Sequence, residues 1–257
     1  MYAKKSLGQN FLMHAQTGER IVEAAKLPEN ATVLEIGPGT GMLTRALLKK
    51  AAKVIAIEAD NELIPQLEET FAGEIKEGRL VLIQQDVRSF DPTSLAKPYV
   101  LVANIPYYIT GEIIRQFLTA SHKPTSMTLL VQKEVAVRIA RSEKESLLSL
   151  SVKAYGTPKY AFTVPCGAFI PAPNVDSAVL SIQNISGDLF ESSAEEVRFF
   201  AVLKAGFAHK RKLLARNLEI LAPLEKIYLA FEEVGLMPKA RAEDLSLAAW
   251  SALAKKI

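Results

Sequence analysis

Between positions 31 and 164, short runs of aliphatic residues alternate with longer stretches in which apolar residues recur every three or four positions. The short runs are apolar on both faces, which is typical of strands in a sheet that is covered on both sides. This alternation predicts an α/β fold with a parallel, doubly wound, Rossmann-like sheet. The predicted strands are 33–36, 54–58, 80–84, 100–103 and 128–132, and the predicted helices are 41–50, 61–71, 110–120 and 133–142.

Two later runs, 160–164 and 177–182, predict further strands on either side of a proline-rich loop. Strands that follow one another this closely are more often antiparallel than parallel. The stretch NISGDLFESS then has the composition of a linker. The sequence therefore predicts a sheet-containing domain at residues 1–185 and a small all-helical domain at residues 186–257. The helices predicted in the second domain are 194–207, 210–222, 224–234 and 245–256.

The composition is that of a folded globular protein. Of the 257 residues, 49% are hydrophobic and 23% are charged, and the net charge is +3. Cys166 is the single cysteine, so no internal disulfide forms, and no cysteine–histidine cluster predicts a metal site. This usage is typical of a reducing compartment, so we expect a cytoplasmic protein. No apolar run is long enough for a signal peptide or a membrane span, and nothing demands an oligomer, so we expect a monomer.

The first predicted strand ends in the glycine-rich stretch VLEIGPGTG. Gly37, Gly39 and Gly41 allow the backbone to turn sharply and to approach a ligand closely. Glu58 closes the next strand, where its carboxylate can accept hydrogen bonds from both ribose hydroxyls of a nucleoside. The spacing GxGxG, preceded by Glu35, favours a methyltransferase over an NAD enzyme, whose usual spacing is GxGxxG.

Asp86 follows the third predicted strand, in the stretch IQQDV. It therefore reaches the same carboxyl-terminal edge of the sheet as the glycine turn, where ligands bind in open α/β folds. An acid at this place can accept a hydrogen bond from the adenine amine of a cofactor, although it could equally cap a turn.

The fourth predicted strand continues into Asn104-Ile105-Pro106-Tyr107-Tyr108-Ile109. An adenine N6 amine is a poor nucleophile because its lone pair is delocalised into the ring. The side-chain oxygen of Asn104 and the backbone carbonyl of Pro106 can accept its two hydrogens, and Tyr107 can stack on a flipped base. Alignment of amine, methyl carbon and leaving group can lower the barrier by roughly 7–11 kcal/mol without a strong base. The segment predicts methylation of an adenine amine.

The chain resembles the rRNA adenine N6,N6-dimethyltransferase family, and within it the bacterial small-subunit branch. The resemblance covers nearly the whole chain, and its motifs occur in the expected order. They are KKSLGQNFL, EIGPGTG, IEAD, QQDV, NIPYYIT, LVQKEVAVRI, FIPAPNVDSAVL, FAHKRKLLARNL and RAEDLSL. The segment ARSEKESLLSLSV is shorter than the loop usual in the family.

The resemblance implies a SAM (S-adenosylmethionine)-dependent enzyme that dimethylates two adjacent adenines near the 3′ end of 16S rRNA, within the small ribosomal subunit or its precursor. Its implied cofactor-binding residues are Asn10, Leu12, Gly37, Glu58, Asp86 and Asn104. Its implied target-adenine site is formed by Asn104, Pro106 and Tyr107, with Phe169 packing against the flipped base from the opposite side.

A basic cluster in the second predicted domain suits RNA phosphates. Its members are Lys204, Lys210, Arg211, Lys212 and Arg216. We expect them on a helix–turn–helix, where they position RNA without reading its sequence. Lys4, Lys5 and Arg20 could add a positive rim near the cofactor cleft.

Three other functions stay open from the sequence. One is a large-subunit (23S) rRNA adenine methyltransferase of the macrolide-resistance type, which differs in its RNA substrate. Another is a non-catalytic assembly factor of the small subunit, although the intact glycine turn, Glu58, Asp86 and NIPY segment speak against it. The third is an NAD(P)-dependent oxidoreductase, which would leave NIPYY and the basic helices without a role.

Overall fold

The computed structural model describes Lys4 and residues 7–257, which form two compact units. The first unit takes in the chain up to Val137 together with Gly156–Ile185, and the second comprises Arg138–Tyr155 and Ser186–Ile257. The predicted boundary between residues 185 and 186 agrees with this division. Arg138–Tyr155 differs, because the sequence placed it with the sheet and the contacts place it in the helical unit.

The strands bear out the predicted α/β fold. They are β1 (Phe11–Leu12), β2 (Thr32–Ile36), β3 (Lys53–Glu58), β4 (Leu80–Gln84), β5 (Val100–Asn104), β6 (Ser126–Gln132), β7 (Thr157–Val164), β8 (Phe169–Ile170) and β9 (Ser177–Gln183). Among the described residues, seven of these form one sheet in the order β4-β3-β2-β5-β6-β9-β7. The first five strands of that order are parallel, and β9 pairs antiparallel with both β6 and β7. The short strands β1 and β8 form a separate antiparallel pair.

Most of the predicted helices are present in the structure. The observed helices are α1 (Ala15–Ala25), α2 (Met42–Leu48), α3 (Ile64–Thr70), α4 (Ala72–Lys76), α5 (Thr110–Thr119), α6 (Lys133–Ala140), α7 (Leu147–Lys153), α8 (Ser193–Gly206), α9 (Leu214–Leu218), α10 (Leu224–Glu233) and α11 (Leu247–Ala254). The sequence reading did not assign α1, α4 or α7.

The helix predicted at 210–222 was wrong at both ends, because only Leu214–Leu218 is helical. Leu213 has an extended backbone, and the N–H of Leu214 donates to the carbonyl of Ala240 at 2.9 Å. This hydrogen bond to a distant segment replaces the one that a continuous helix would make, so residues 208–213 form a turn.

Burial explains why the apolar runs became strands. Val100, Leu101, Val102 and Ala103 of β5 have at most 2% of their surface exposed, as expected for a strand with layers on both faces. Burial of such side chains contributes about 1.5–3 kcal/mol each.

The second unit has an apolar core of its own. The ring of Trp250 is completely buried and stacks on Phe207 with the ring centres 5.6 Å apart. Tyr155, Phe190 and Phe199 belong to an aromatic cluster within the same unit.

The order of the strands positions the site. β2 lies between β3 and β5, so the chain leaves β2 in one direction across the sheet and later returns on its other side. A crevice forms at such a switch point, beyond the carboxyl ends of the strands. β2, β3 and β5 end there at Ile36, Glu58 and Asn104.

Candidate active site

A cavity opens at this crevice, and it brings together most of the residues that the sequence singled out. Its walls come from the stretches 7–12, 36–43, 57–59, 85–88 and 104–109. The predicted residues that line it are Asn10, Leu12, Gly37, Glu58, Asp86, Asn104, Pro106 and Tyr107.

The glycine turn lines the cavity, and its glycines have a left-handed backbone conformation. Gly37 and Gly41 have φ angles of 68° and 80°, which disfavour any residue with a Cβ. The N–H of Gly37 donates to the carbonyl of Ile57 at 2.9 Å, and this bond ties the turn to the end of β3.

Glu58 is held by two backbone hydrogen bonds. Its Oε2 accepts from the N–H of Gly39 at 3.1 Å, and its Oε1 accepts from the N–H of Asp60 at 2.9 Å. Burial raises the pKa of Glu58, and the two backbone donors act in the opposite direction by stabilising its ionised form. Each oxygen has a second lone pair with which it can accept from a ligand.

Asp60, two residues further on, anchors the N-terminal segment. Its side chain is only 4% exposed and accepts from Lys4 Nζ at 2.7 Å and from Gln9 Nε2 at 2.8 Å. Burial acts to raise the pKa of Asp60, but the hydrogen bonds from Lys4 and Gln9 outweigh it, and the pKa is lowered. Because Asp60 is ionised, it holds in place the segment that leads into Asn10 at the cavity wall.

Asp86 is engaged by its neighbour Arg88. Its Oδ2 lies 2.6 Å from a terminal guanidinium nitrogen of Arg88, and its Oδ1 accepts from the Arg88 backbone N–H at 2.9 Å. The hydrogen bond from Arg88 lowers the pKa of Asp86. The carboxylate is therefore an ionised acceptor at the cavity wall, and it also caps the turn at Val87–Ser89.

Asn104 has a defined amide orientation. Its Nδ2 donates to the backbone carbonyl of Asn10 at 3.1 Å, so its Oδ1 keeps the role of acceptor. The neighbouring carbonyl of Pro106 accepts from the N–H of Ile109 at 3.2 Å and retains its second lone pair. Two oxygen acceptors thus belong to one turn at the end of β5.

The two tyrosines of this turn differ in exposure. Tyr107 is half-buried, lines the cavity and makes a 2.6 Å hydrogen bond between its hydroxyl and Oγ of Ser177. Tyr108 also borders the cavity, but 62% of its surface is exposed.

Phe169 does not line the cavity. It lies opposite Leu12 in the β1–β8 pair, is only 2% exposed and belongs to the apolar core. In this arrangement it supports the wall from behind, and its predicted contact with a flipped base would require its face to be uncovered.

The basic residues of the second unit are all exposed, as phosphate-binding side chains must be. Lys204 is on α8, Arg216 is on α9, and Lys210, Arg211 and Lys212 are in the turn that replaces the predicted helix. Arg216 forms an ion pair with Glu219 at 2.9 Å.

Only part of the predicted positive rim can be described. Lys4 is paired with Asp60 and Glu62, and the guanidinium of Arg20 lies 4.0 Å from the centre of the Phe162 ring. Lys5 lies outside the described residues.

Within the described part of the chain, no cluster of three or more histidine, cysteine or acidic residues could hold a metal ion. No helix described here has the length and apolar character needed to cross a membrane.

Comparison with known proteins decides the family. The model of the ribosomal RNA adenine dimethylase family matches residues 1–257. The chain belongs to this family. The predicted resemblance is confirmed, and with it the enzyme class of an rRNA adenine methyltransferase.

Curated members of the family are similar over nearly the full length. Ribosomal RNA small subunit methyltransferase A of Dehalococcoides mccartyi is 43% identical over 98% of this chain and 87% of its own. The protein of the same name from Streptococcus pneumoniae is 38% identical over 98% of this chain and 90% of its own.

Solved structures have the same fold. The crystal structure of the 23S rRNA methyltransferase ErmE has a TM-score of 0.78 and 27% identity, and the match covers 96% of this chain and 99% of ErmE. A dimethyladenosine transferase from Plasmodium falciparum, 24% identical, has a TM-score of 0.80 over 95% of both chains, which supports the fold alone.

The structure adds site residues that the sequence reading did not assign. Gln9 and Asp60 hold the N-terminal segment, Arg88 engages Asp86, and Ser177 contacts Tyr107. Asp60 and Ser177 stand inside the motifs IEAD and FIPAPNVDSAVL, but nothing in their spacing indicates which partner they meet.

Proposed function

We propose that this protein transfers methyl groups from SAM to the N6 amines of two adjacent adenines near the 3′ end of 16S rRNA, within the small ribosomal subunit or its precursor. The observation that carries the proposal is the turn at the end of β5. There, Asn104 Oδ1 and the Pro106 carbonyl are acceptors beside the ring of Tyr107, in the same cavity as Gly37 and Glu58.

The residues of the cavity fit SAM. Each carboxylate oxygen of Glu58 accepts one backbone hydrogen bond and has one lone pair left, which matches the two hydroxyls of a ribose. Gly37 allows close approach of the backbone, Asp86 can accept from an adenine amine, and Asn10 and Leu12 also line the cavity. SAM, when bound, supplies an electrophilic methyl group on a sulfonium.

On the substrate side, the protein positions a weak nucleophile. Asn104 Oδ1 and the Pro106 carbonyl accept the two amine hydrogens and favour a pyramidal nitrogen, while Tyr107 offers a face on which the base stacks. The amine proton leaves to water after the transfer. Phe169 supports this wall from the core, and a direct contact with the base remains a prediction.

The exposed basic residues of the second unit fit the RNA backbone. Lys204, Lys210, Arg211, Lys212 and Arg216 can neutralise phosphates and so position the RNA, while target choice depends on which unpaired adenine reaches the cavity. The proposal places a monomeric enzyme in the cytoplasm, where it acts on a subunit or its precursor.

The test is transfer of tritium from labelled SAM to undermethylated small subunits and, in parallel, to naked large-subunit rRNA, followed by nucleoside analysis. We expect label in N6,N6-dimethyladenosine from small subunits alone. Label in large-subunit RNA alone would instead favour the 23S-type function, to which the likeness to ErmE lends support. SAM binding without label in either RNA would favour a non-catalytic assembly factor.

Two variants separate cofactor binding from chemistry in the same assay. Asn104→Ala should lower turnover about a hundredfold or more, because misplacement of the amine by about 1 Å costs that much, while SAM binding stays measurable by calorimetry. Glu58→Ala should weaken SAM binding itself. Normal turnover in Asn104→Ala would refute the amine site, and unchanged SAM affinity in Glu58→Ala would refute the ribose contact.

A further inference from the structure

The hydroxyl of Ser177 is buried and forms a hydrogen bond with the hydroxyl of Tyr107. Ser177 has no exposed surface, and among the described residues its side chain bonds only to Tyr107. The distance between the two hydroxyl oxygens is 2.6 Å, which is within the range of a hydrogen bond between two hydroxyls. A buried hydroxyl without this partner would lose its only hydrogen bond inside the protein.

The two partners differ in how firmly they are held. Ser177 begins β9 and lies between two strands, opposite Gln132 of β6 and Val164 of β7. Its neighbour Asp176 adds two more ties, because its carbonyl accepts from the N–H of Lys133 at 3.0 Å and its Oδ1 accepts from the N–H of Cys166 at 3.1 Å. The backbone at Ser177 is therefore fixed from several sides.

Tyr107 lies outside the sheet, and its carbonyl accepts from the backbone N–H of Thr110. It lies in the short turn Tyr107–Ile109 after β5, and its half-buried ring borders the cavity. Burial raises the pKa of the Tyr107 hydroxyl, so the phenol is neutral at physiological pH and can donate or accept. A hydrogen bond to the hydroxyl at the far end of the ring limits rotation about the Cα–Cβ bond, so the ring cannot swing away from the cavity.

We propose that Ser177 is a positioning residue, which holds the Tyr107 ring in place so that a base stacked on it presents its amine to Asn104 and Pro106. This inference rests on the proposed function, in which Tyr107 carries the target adenine. Rates fall steeply when reacting atoms are misplaced. Loss of the hydrogen bond between Ser177 and Tyr107 should therefore slow methyl transfer without weakening SAM binding.

The test is a double-mutant cycle of wild type, Tyr107→Phe, Ser177→Ala and the double variant. Single-turnover methyl transfer to undermethylated small subunits is measured at saturating SAM, and SAM affinity is measured by calorimetry. Each single variant should lose about three- to tenfold in rate, the equivalent of one ordinary hydrogen bond, and the double variant should lose no more than a single one. SAM affinity should match wild type throughout.

Ser181→Ala is the matched control. Ser181 stands four residues further along β9, is 5% exposed and has a hydroxyl that accepts from Gln183 Nε2 at 2.6 Å. The Ser181→Ala variant also loses a hydrogen bond, but it should transfer methyl groups at the wild-type rate. If the rate falls as far as in Ser177→Ala, the effect comes from the strand and the inference is wrong.

The outcomes separate this inference from the function on which it rests. Wild type that does not label adenine N6 would overturn the proposed function. Wild-type activity together with full rates in Tyr107→Phe, or with losses that multiply in the double variant, would overturn the role of Ser177 alone. Tyr107→Phe leaves β9 unchanged, so it tests the same hydrogen bond even if Ser177→Ala fails to fold.

Discussion

Glu35 is a fully buried acid with a raised pKa. It lies in β2 with no exposed surface, and no described residue makes a hydrogen bond of acceptable geometry with either carboxylate oxygen. Burial raises the pKa of Glu35 to about 8, and the nearby Thr44 hydroxyl lowers it only in part. The side chain is therefore mainly protonated at neutral pH, two residues before the first glycine of the turn.

This predicts an unusual dependence of stability on pH. The ordinary pKa of 4.5 applies to the unfolded chain, so between about 4.5 and about 8 the folded state holds a proton that the unfolded state has lost. The contribution of Glu35 to stability is complete below 4.5 and falls by up to about 1.4 kcal/mol per pH unit until the pH passes 8.

Glu35→Gln should remove that loss, because the amide is neutral at every pH and has almost the same shape. Chemical denaturation at pH 6 and pH 9 measures the effect. We expect the free energy of unfolding to fall less in the variant than in wild type between these values. Parallel pH profiles of the two proteins would contradict the prediction.

At the scale of elements, the turn between β2 and α2 combines strain with close packing. Gly41 has a φ of 80°, and a Cβ added there would lie 2.5 Å from the ring of Phe71. Both facts oppose any larger residue, and the ring of Phe71 is itself only 1% exposed and cannot move far. The glycine turn at the cavity is therefore also a packing contact with the end of α3.

Gly41→Ala should destabilise the protein by about 1–3 kcal/mol, through backbone strain and overpacking together. Gly73→Ala in α4 is the control, since nothing lies within 4 Å of an added Cβ and alanine favours a helix. In thermal or urea unfolding, Gly41→Ala should therefore be less stable than wild type, and Gly73→Ala should be more stable. A Gly41→Ala protein as stable as wild type would show that Phe71 yields readily.

At the scale of the molecule, the net charge is small and the position of the exposed cations matters more. The net charge of +3 gives little attraction for RNA by itself, so local groups of exposed cations must supply it. Lys210, Arg211 and Lys212 are consecutive and exposed in the second unit, whereas Lys49 in the first unit is paired with Glu19 at 2.6 Å.

Reversal of charge in Lys210→Glu/Arg211→Glu should weaken binding to small-subunit rRNA. It should also make the slope of log affinity against log salt shallower by about 1–2. Lys49→Glu/Lys50→Glu changes the net charge equally and should leave the slope near that of wild type. Binding titrations at several salt concentrations give both numbers. Equal slopes in all three proteins would mean that the basic turn is solvated surface only.

The sequence by itself determined the parallel order of strands and helices, the glycine turn, Glu58, Asp86 and the turn at Asn104, because each depends on local spacing and on where a strand ends. It did not determine which unit holds Arg138–Tyr155, since that choice depends on contacts between distant segments. The same reason explains the basic turn, where Leu214 bonds to Ala240 instead of continuing a helix.

Only the tertiary structure decided how the site is held together. Asp60 meets Lys4 and Gln9, and Ser177 meets Tyr107, across long separations in the chain. Phe169 could have faced the cavity or the core by its sequence alone, and the β1–β8 pairing buried it. Motifs predict which groups belong to the site, whereas side-chain orientation depends on neighbours that only folding brings within hydrogen-bond distance.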